Sequence, residues 1–182
     1  MKEKQFNKIR NSLLLAVILF EVCHLTWEYI NGGVVTHHLF MRADLPGLSN
    51  WWGLLILPLL VWLSAAVIRK RISTKSDAKT LFSSILLGFF GMLLVSTVQS
   101  IAFVNGFPSV TMYLALGVLI SALFVPLYRM ECILGHVIGS TFVFGPAIPF
   151  VGVLMFAPIS LLSHKCIKPL LLRFKNRRTT LG

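Results

Sequence analysis

The chain has 182 residues, of which 56% are hydrophobic, and its mean hydropathy is +0.82. These values exclude an ordinary water-soluble domain and leave room for one domain built for lipid. The formal net charge is +11, but the cations lie at the chain ends and in one connecting segment, where the positive-inside rule places them in membrane proteins. We therefore expect a lipid bilayer, and no nucleic acid, as the partner of the basic residues.

Six apolar segments follow one another along the chain, and each is a predicted transmembrane helix. About 20 residues, at roughly 1.5 Å each, cross a hydrocarbon core of about 30 Å. The predicted spans are residues 12–30, 51–68, 80–104, 110–128, 131–145 and 149–164, with an extracytoplasmic loop at 31–50 and a basic tail at 165–182. The predicted fold is all-α: a single transmembrane domain, a compact bundle of about six helices whose fifth and sixth members are short.

The last apolar stretch, residues 131–164, is one long helix or two short ones. Pro146 and Pro149 follow Gly145, and two prolines three residues apart disfavour a continuous helix. With six spans, sixteen of the 17 lysines and arginines face the cytoplasm and only Arg42 lies outside, whereas five spans divide them ten to seven. Six spans are therefore predicted, with both termini in the cytoplasm and the bacterial inner membrane as the location.

The first span carries three ionisable residues, Glu21, His24 and Glu28. Their spacing places them on one helical face, and the cost of charged groups in lipid requires that face to be buried. Glu-x-x-His is also the spacing with which helical bundles offer two metal ligands from one helix. The alternative is a network of hydrogen bonds between helices that fixes packing only.

The predicted outer loop adds His37, His38 and Asp44. Imidazole and carboxylate groups suit zinc or a similar divalent metal. We expect the metal ligands to come from His24, Glu28, His37 and His38, and the catalytic carboxylate from Glu21, Glu28 or Asp44. A solvated loop without a site is the alternative.

His136 in the fifth span lies at a depth similar to that of Glu21, so the two are predicted to meet near the midplane as a proton relay. The alternative is a neutral His136 bonded to a backbone carbonyl or to Ser140. Glu131, which follows Arg129 at a cytoplasmic turn, is expected to form a local ion pair with it.

Three functions remain open from these residues. The first is metal-dependent hydrolysis or group transfer on a lipid-like substrate at the Glu21, His24 and Glu28 face. The second is a small proton-coupled transporter that uses Glu21 and His136. The third is a non-enzymatic membrane subunit or assembly factor. No motif of a soluble enzyme is present in the sequence.

Overall fold

The computed structural model describes residues 3–39, 42–74 and 78–170, and these residues are mostly helical. Six α-helices follow in order, which confirms the predicted all-α class and the number of helices. They are α1 Glu3–Ile30, α2 Gly53–Thr74, α3 Ala78–Val104, α4 Pro108–Phe124, α5 Met130–Phe144 and α6 Ala147–Leu162.

Four helical segments are long and apolar enough to cross a membrane: Lys4–Ile30, Asn50–Thr74, Thr80–Val104 and Ala147–Leu170. The first of them begins well before the predicted span, because the charged residues before Ser12 end the apolar run but not the helix. The helices α4 and α5 have 17 and 15 residues. At about 1.5 Å per residue they are somewhat shorter than a hydrocarbon core of about 30 Å.

The chain between α5 and α6 turns sharply. Gly145 has a φ of +61°, a left-handed conformation that suits glycine, and Pro146 follows it. The stretch 131–164 therefore forms two helices, as its prolines predict. The helix α6 continues through a π-helical turn at Ser163–Ile167, so residues 165–170 of the predicted tail are helical and residues 171–182 lie outside the described part of the chain.

The helix α4 ends earlier than predicted, at Phe124 instead of residue 128. Val125 is extended, with φ −108° and ψ 139°, because Pro126 disfavours a helical conformation in the residue before it. The carbonyl groups at the end of α4 accept hydrogen bonds from α6 and from the turn that follows it. Ser163 Oγ donates to Leu123 O (2.6 Å), and Ser160 Oγ donates to Val125 O (2.9 Å). The shortened helix thus gains hydrogen bonds that fix its end against α6.

The helix α5 lies at the centre of the bundle, where it packs against α2, α3 and α6. Its most extensive contact is with α3. A Cβ atom built on Gly135 would overlap the carbonyl oxygen of Phe89, and one on Gly139 would lie 2.6 Å from the carbonyl oxygen of Leu93. The two glycines therefore allow the backbones of α3 and α5 to approach closely, as small residues do between membrane helices.

A buried ion pair joins α2 to α5. Arg71 Nη1 donates to both carboxylate oxygens of Glu131, at 2.9 and 3.0 Å, and Glu131 is 1% exposed. The predicted pairing of Glu131 with Arg129 is wrong, since Arg129 Nη1 donates to Ser84 Oγ at 3.2 Å. Arg129 is the residue before α5 and its side chain turns to α3 instead.

The connection between α1 and α2 contains a small hairpin that the sequence did not predict. Strands β1 (Thr36–His38) and β2 (Gly47–Ser49) pair antiparallel, with His37 opposite Leu48. A short 3-10 turn, Asn50–Trp52, then leads into α2. The hairpin holds the loop against the end of α1.

Candidate functional site

The polar face of α1 is buried, as its insertion cost requires. Glu21 is 0% exposed, His24 4% and Glu28 5%. They point away from the apolar side chains that α1 exposes, among them Leu15, Leu19 and Val22. The prediction that this face lies inside the protein is confirmed.

Glu28 is tied to the loop and to the start of α2. Its Oε1 accepts a hydrogen bond from Asn50 Nδ2, and its Oε2 accepts one from Val35 N at 3.2 Å. Asn50 is 1% exposed. The carboxylate at the end of α1 therefore fixes both sides of the hairpin, and Asn50 joins the three α1 residues in one buried cluster.

The imidazole of His24 lies between the two carboxylates. Its Nδ1 is 3.9 Å from Glu21 Oε2, and its Nε2 is 3.5 Å from Glu28 Oε1. Both separations exceed the usual length of a hydrogen bond. The ring is held in place by apolar contacts, stacked on Phe20 and tilted against Phe142 of α5.

Five buried polar atoms of this cluster have no hydrogen-bond partner among the residues that the structure describes. They are both carboxylate oxygens of Glu21, both ring nitrogens of His24 and Oδ1 of Asn50. Buried polar atoms are almost always paired, since leaving one unpaired costs about 1–3 kcal/mol. The concentration of five in one place points to a bound group or to proton sharing.

Two glycines form the wall of the cluster. A Cβ on Gly53 would overlap Glu21 Oε1, and a Cβ on Gly145 would overlap Asn50 Oδ1. The backbone of α2 and the turn between α5 and α6 thus lie directly against the unpaired oxygens. Gly145 was predicted only as part of the break between two helices, and Gly53 had no predicted role; a small residue at a helix end is the signal that could have pointed to their close contacts.

The two histidines of the hairpin point in opposite directions, because successive residues of a strand face opposite sides. His37 is half-buried and lies close enough to Glu28 and His24 for an electrostatic interaction with them. Burial lowers its pKa, which favours the neutral imidazole. His38 is exposed, and its Nδ1 lies 2.8 Å from the carbonyl oxygen of Leu45. Only His37 is therefore placed toward the cluster.

Asp44 lies outside the cluster. Its carboxylate receives hydrogen bonds from Arg42 Nε (3.1 Å) and Nη2 (2.7 Å), and both side chains are largely exposed. The hydrogen bonds from Arg42 lower the pKa of Asp44. The structure does not bring this residue to the other predicted catalytic carboxylates.

His136 is not bonded to Glu21. Its Nδ1 lies 2.7 Å from Ser96 Oγ on α3, and its ring meets Phe156 of α6 edge-on. Within the described part of the chain, neither oxygen of Glu21 has a hydrogen-bond partner. The predicted direct contact is therefore wrong, and so is the alternative partner Ser140, because the hydroxyl next to His136 belongs to another helix.

A complete metal-binding group is not formed in this conformation. Within residues 3–39, 42–74 and 78–170, no three His, Cys, Asp or Glu side chains have the arrangement needed to hold a metal ion. The α1 face supplies two neighbouring candidate ligands, His24 and Glu28. A third has to come from another element.

Comparison with known proteins adds no relative to these observations. No protein-family model matches the chain, and no curated protein or solved structure matches it significantly.

Proposed function

We propose that the protein is a multi-pass membrane protein with six membrane-crossing helices and both termini in the cytoplasm of a bacterial cell. Four helical segments have the length and composition for this. The helices α4 and α5 must cross as a pair or not at all, since only an even number of crossings puts the basic N-terminal and C-terminal ends on one side. We take both to cross, because this also places Arg129 on the cytoplasmic side with the other cations. The hairpin and the buried cluster then belong to the extracytoplasmic half.

Single cysteines labelled in intact cells test this topology. In a background in which Cys23, Cys132 and Cys166 are replaced, Asp44→Cys should react with a membrane-impermeant maleimide, because Asp44 is exposed in the outer loop. Thr179→Cys should react only after the cells are permeabilised. Labelling of Thr179→Cys in intact cells would leave five crossings in place of six.

We further infer that the buried cluster binds a divalent metal such as zinc. The supporting observation is the set of unpaired atoms around His24. Two ligands of a tetrahedral zinc ion, each at about 2.0–2.1 Å, are about 3.3 Å apart, close to the 3.5 Å between His24 Nε2 and Glu28 Oε1. Glu21 on the other side of the ring suits the carboxylate that orients a metal-bound histidine through its second nitrogen.

The third ligand in this proposal is His37. It is half-buried, and burial lowers its pKa and so favours the neutral form that binds a metal. In this proposal the imidazole of His37 approaches the metal from β1, and Asn50 Oδ1 offers a further oxygen. A metal held by three protein ligands supplies a Lewis acid and an activated water when bound.

The reaction that best suits this position is hydrolysis or group transfer on a lipid-like substrate. The cluster lies next to Trp27, Trp51 and Trp52, which are all more than half exposed and suit the membrane interface. A substrate there would present its polar group to the buried carboxylates while its chains stay in lipid. Glu21, whose oxygens are free, serves in this proposal to orient His24 and to take up a proton.

Elemental analysis of the purified full-length protein, after incubation with zinc and removal of excess metal, tests the site. The wild type should retain about one equivalent, and His24→Ala and His37→Ala should lose it. His38→Ala is the matched control, since it removes the neighbouring imidazole on the opposite face of the same strand. Glu21→Gln should weaken binding by about 10–100-fold, as loss of a carboxylate behind a ligating histidine does.

Two results would contradict the metal site. One is a wild-type protein that retains no metal while its thermal unfolding in detergent is cooperative. The other is an equal loss of metal in His37→Ala and His38→Ala. That result would show that the orientation of the two histidines on β1 does not determine which of them binds the metal.

A further inference from the structure

A second feature of the molecule lies at the opposite end of the bundle, between α3 and the turn that joins α4 to α5. It is an open groove with a volume of about 280 Å³. The floor is apolar, with Leu87, Gly91 and Val95 from α3 among the lining residues. Among the described residues, no atom outside the adjoining backbone of α3 lies within 4 Å of a Cβ built on Gly91, so the groove is open there.

One end of the groove is cationic. Arg129 and Ser84 line it there, and Arg129 Nη1 donates to Ser84 Oγ. Glu131 also lines the groove, but its carboxylate is taken by both hydrogen bonds from Arg71. Among the described residues, Arg129 has no carboxylate partner within 4 Å, so its positive charge is available to a ligand.

The dimensions of the groove match one leaflet of a bilayer. From Ser84 to Val95 the helix α3 rises about 16 Å, roughly half of a hydrocarbon core of about 30 Å. The cationic end lies at the turn before α5, on the same side as Arg71 and the α2–α3 connection. An apolar groove of this length, with a cation at the end nearest the membrane surface, suits one acyl chain and the anionic headgroup attached to it.

We propose that this groove binds one anionic phospholipid, with an acyl chain along Gly91 and the phosphate next to Arg129. This rests on the proposed membrane insertion and not on the metal site. The charge at Arg129 favours an anionic lipid over a zwitterionic one, because basic residues at a membrane surface attract anionic headgroups. The open space at Gly91 is what admits the chain.

Native mass spectrometry of the full-length protein in a non-ionic detergent tests the proposal. The protein is titrated with phosphatidylglycerol or with phosphatidylcholine of the same acyl chains. The wild type should bind phosphatidylglycerol about fivefold more tightly, the factor expected from one basic residue at the surface. Arg129→Gln should remove this preference, whereas Ser84→Ala, which removes the same hydrogen bond and keeps the charge, should retain it.

Filling the groove supplies an independent measurement. Gly91→Phe should lower the affinity for both lipids, and Gly117→Phe is the matched control, since Gly117 on α4 is also open around its Cβ position and lies outside the groove. Equal binding of the two lipids to the wild type, or unchanged binding to Gly91→Phe, would overturn the proposal. So would a dimer that Gly91→Phe dissociates while lipid binding is unchanged, because the groove would then hold a second copy of the chain.

Discussion

Replacing Arg71 with methionine is expected to lower the free energy of unfolding by about 3–5 kcal/mol, the usual cost of removing one partner from a buried ion pair. The change leaves the Glu131 carboxylate, which is 1% exposed, without its two charge-assisted hydrogen bonds. Methionine replaces the apolar stem of the arginine side chain and lacks only its polar end, so lost packing contributes little. The measurement is unfolding in mixed micelles of increasing denaturing detergent, followed by helical circular dichroism.

A double-mutant cycle with Glu131→Gln separates the ion pair from other effects of the substitution. The double variant should lose less stability than the sum of the two single variants, because neither charge is then left uncompensated. Arg129→Met, two residues from Glu131 and just before α5, is the control and should show much weaker coupling to Glu131→Gln, since Arg129 is bonded to Ser84 and not to Glu131. Additive losses for Arg71 and Glu131 would show that the pair contributes nothing as a pair.

Gly135→Ala should destabilise the protein by about 3 kcal/mol, at the upper end of the range for an overpacked core. The added methyl group would meet the backbone of α3, overlapping the carbonyl oxygen of Phe89 and lying 3.1 Å from Leu93 N. Backbone atoms cannot turn aside as the end of a side chain can, so the two helices must separate. Thermal unfolding in detergent measures the loss.

Gly91→Ala is the control, and it is expected to change the stability in the opposite direction. It lies on α3 with nothing within 4 Å of the added Cβ, so the substitution should stabilise the helix by about 0.5–1 kcal/mol through its lower conformational entropy. A loss of stability in Gly91→Ala as large as that in Gly135→Ala would mean that glycine itself, and not close packing, determines the effect at both positions.

The burial of the α1 face illustrates what could be predicted of the candidate site. Glu21, His24 and Glu28 share a face because of helical periodicity, and they are buried because lipid does not solvate charge. The same reasoning could not find Asn50 or Gly53 as neighbours, since their approach depends on how the hairpin brings the start of α2 against α1. It also could not separate His37 from His38, because the strand that turns them to opposite sides is too short to leave a pattern.

The partners of Glu131 and His136 depend on how each helix is oriented about its own axis. Arg71 reaches Glu131 across 60 positions of sequence, and His136 reaches Ser96 across 40. Depth in the bilayer can be estimated by counting residues along a span, and by depth alone Glu21 was an equally good partner for His136. Depth does not give the direction in which a side chain points, and that direction is set by packing against neighbouring helices.

Composition, apolar length and proline positions by themselves determined the helical class, the six helices of the described residues and the break between the fifth and sixth near Gly145. These properties arise from local sterics and from the cost of leaving backbone polar groups unpaired in apolar surroundings. Only the tertiary structure decided which polar groups are paired and which are left free around His24. The physical reason is that a hydrogen bond requires two atoms within about 3 Å. Hydropathy indicates how deep a residue lies along the helix axis, but not which neighbouring side chain it meets.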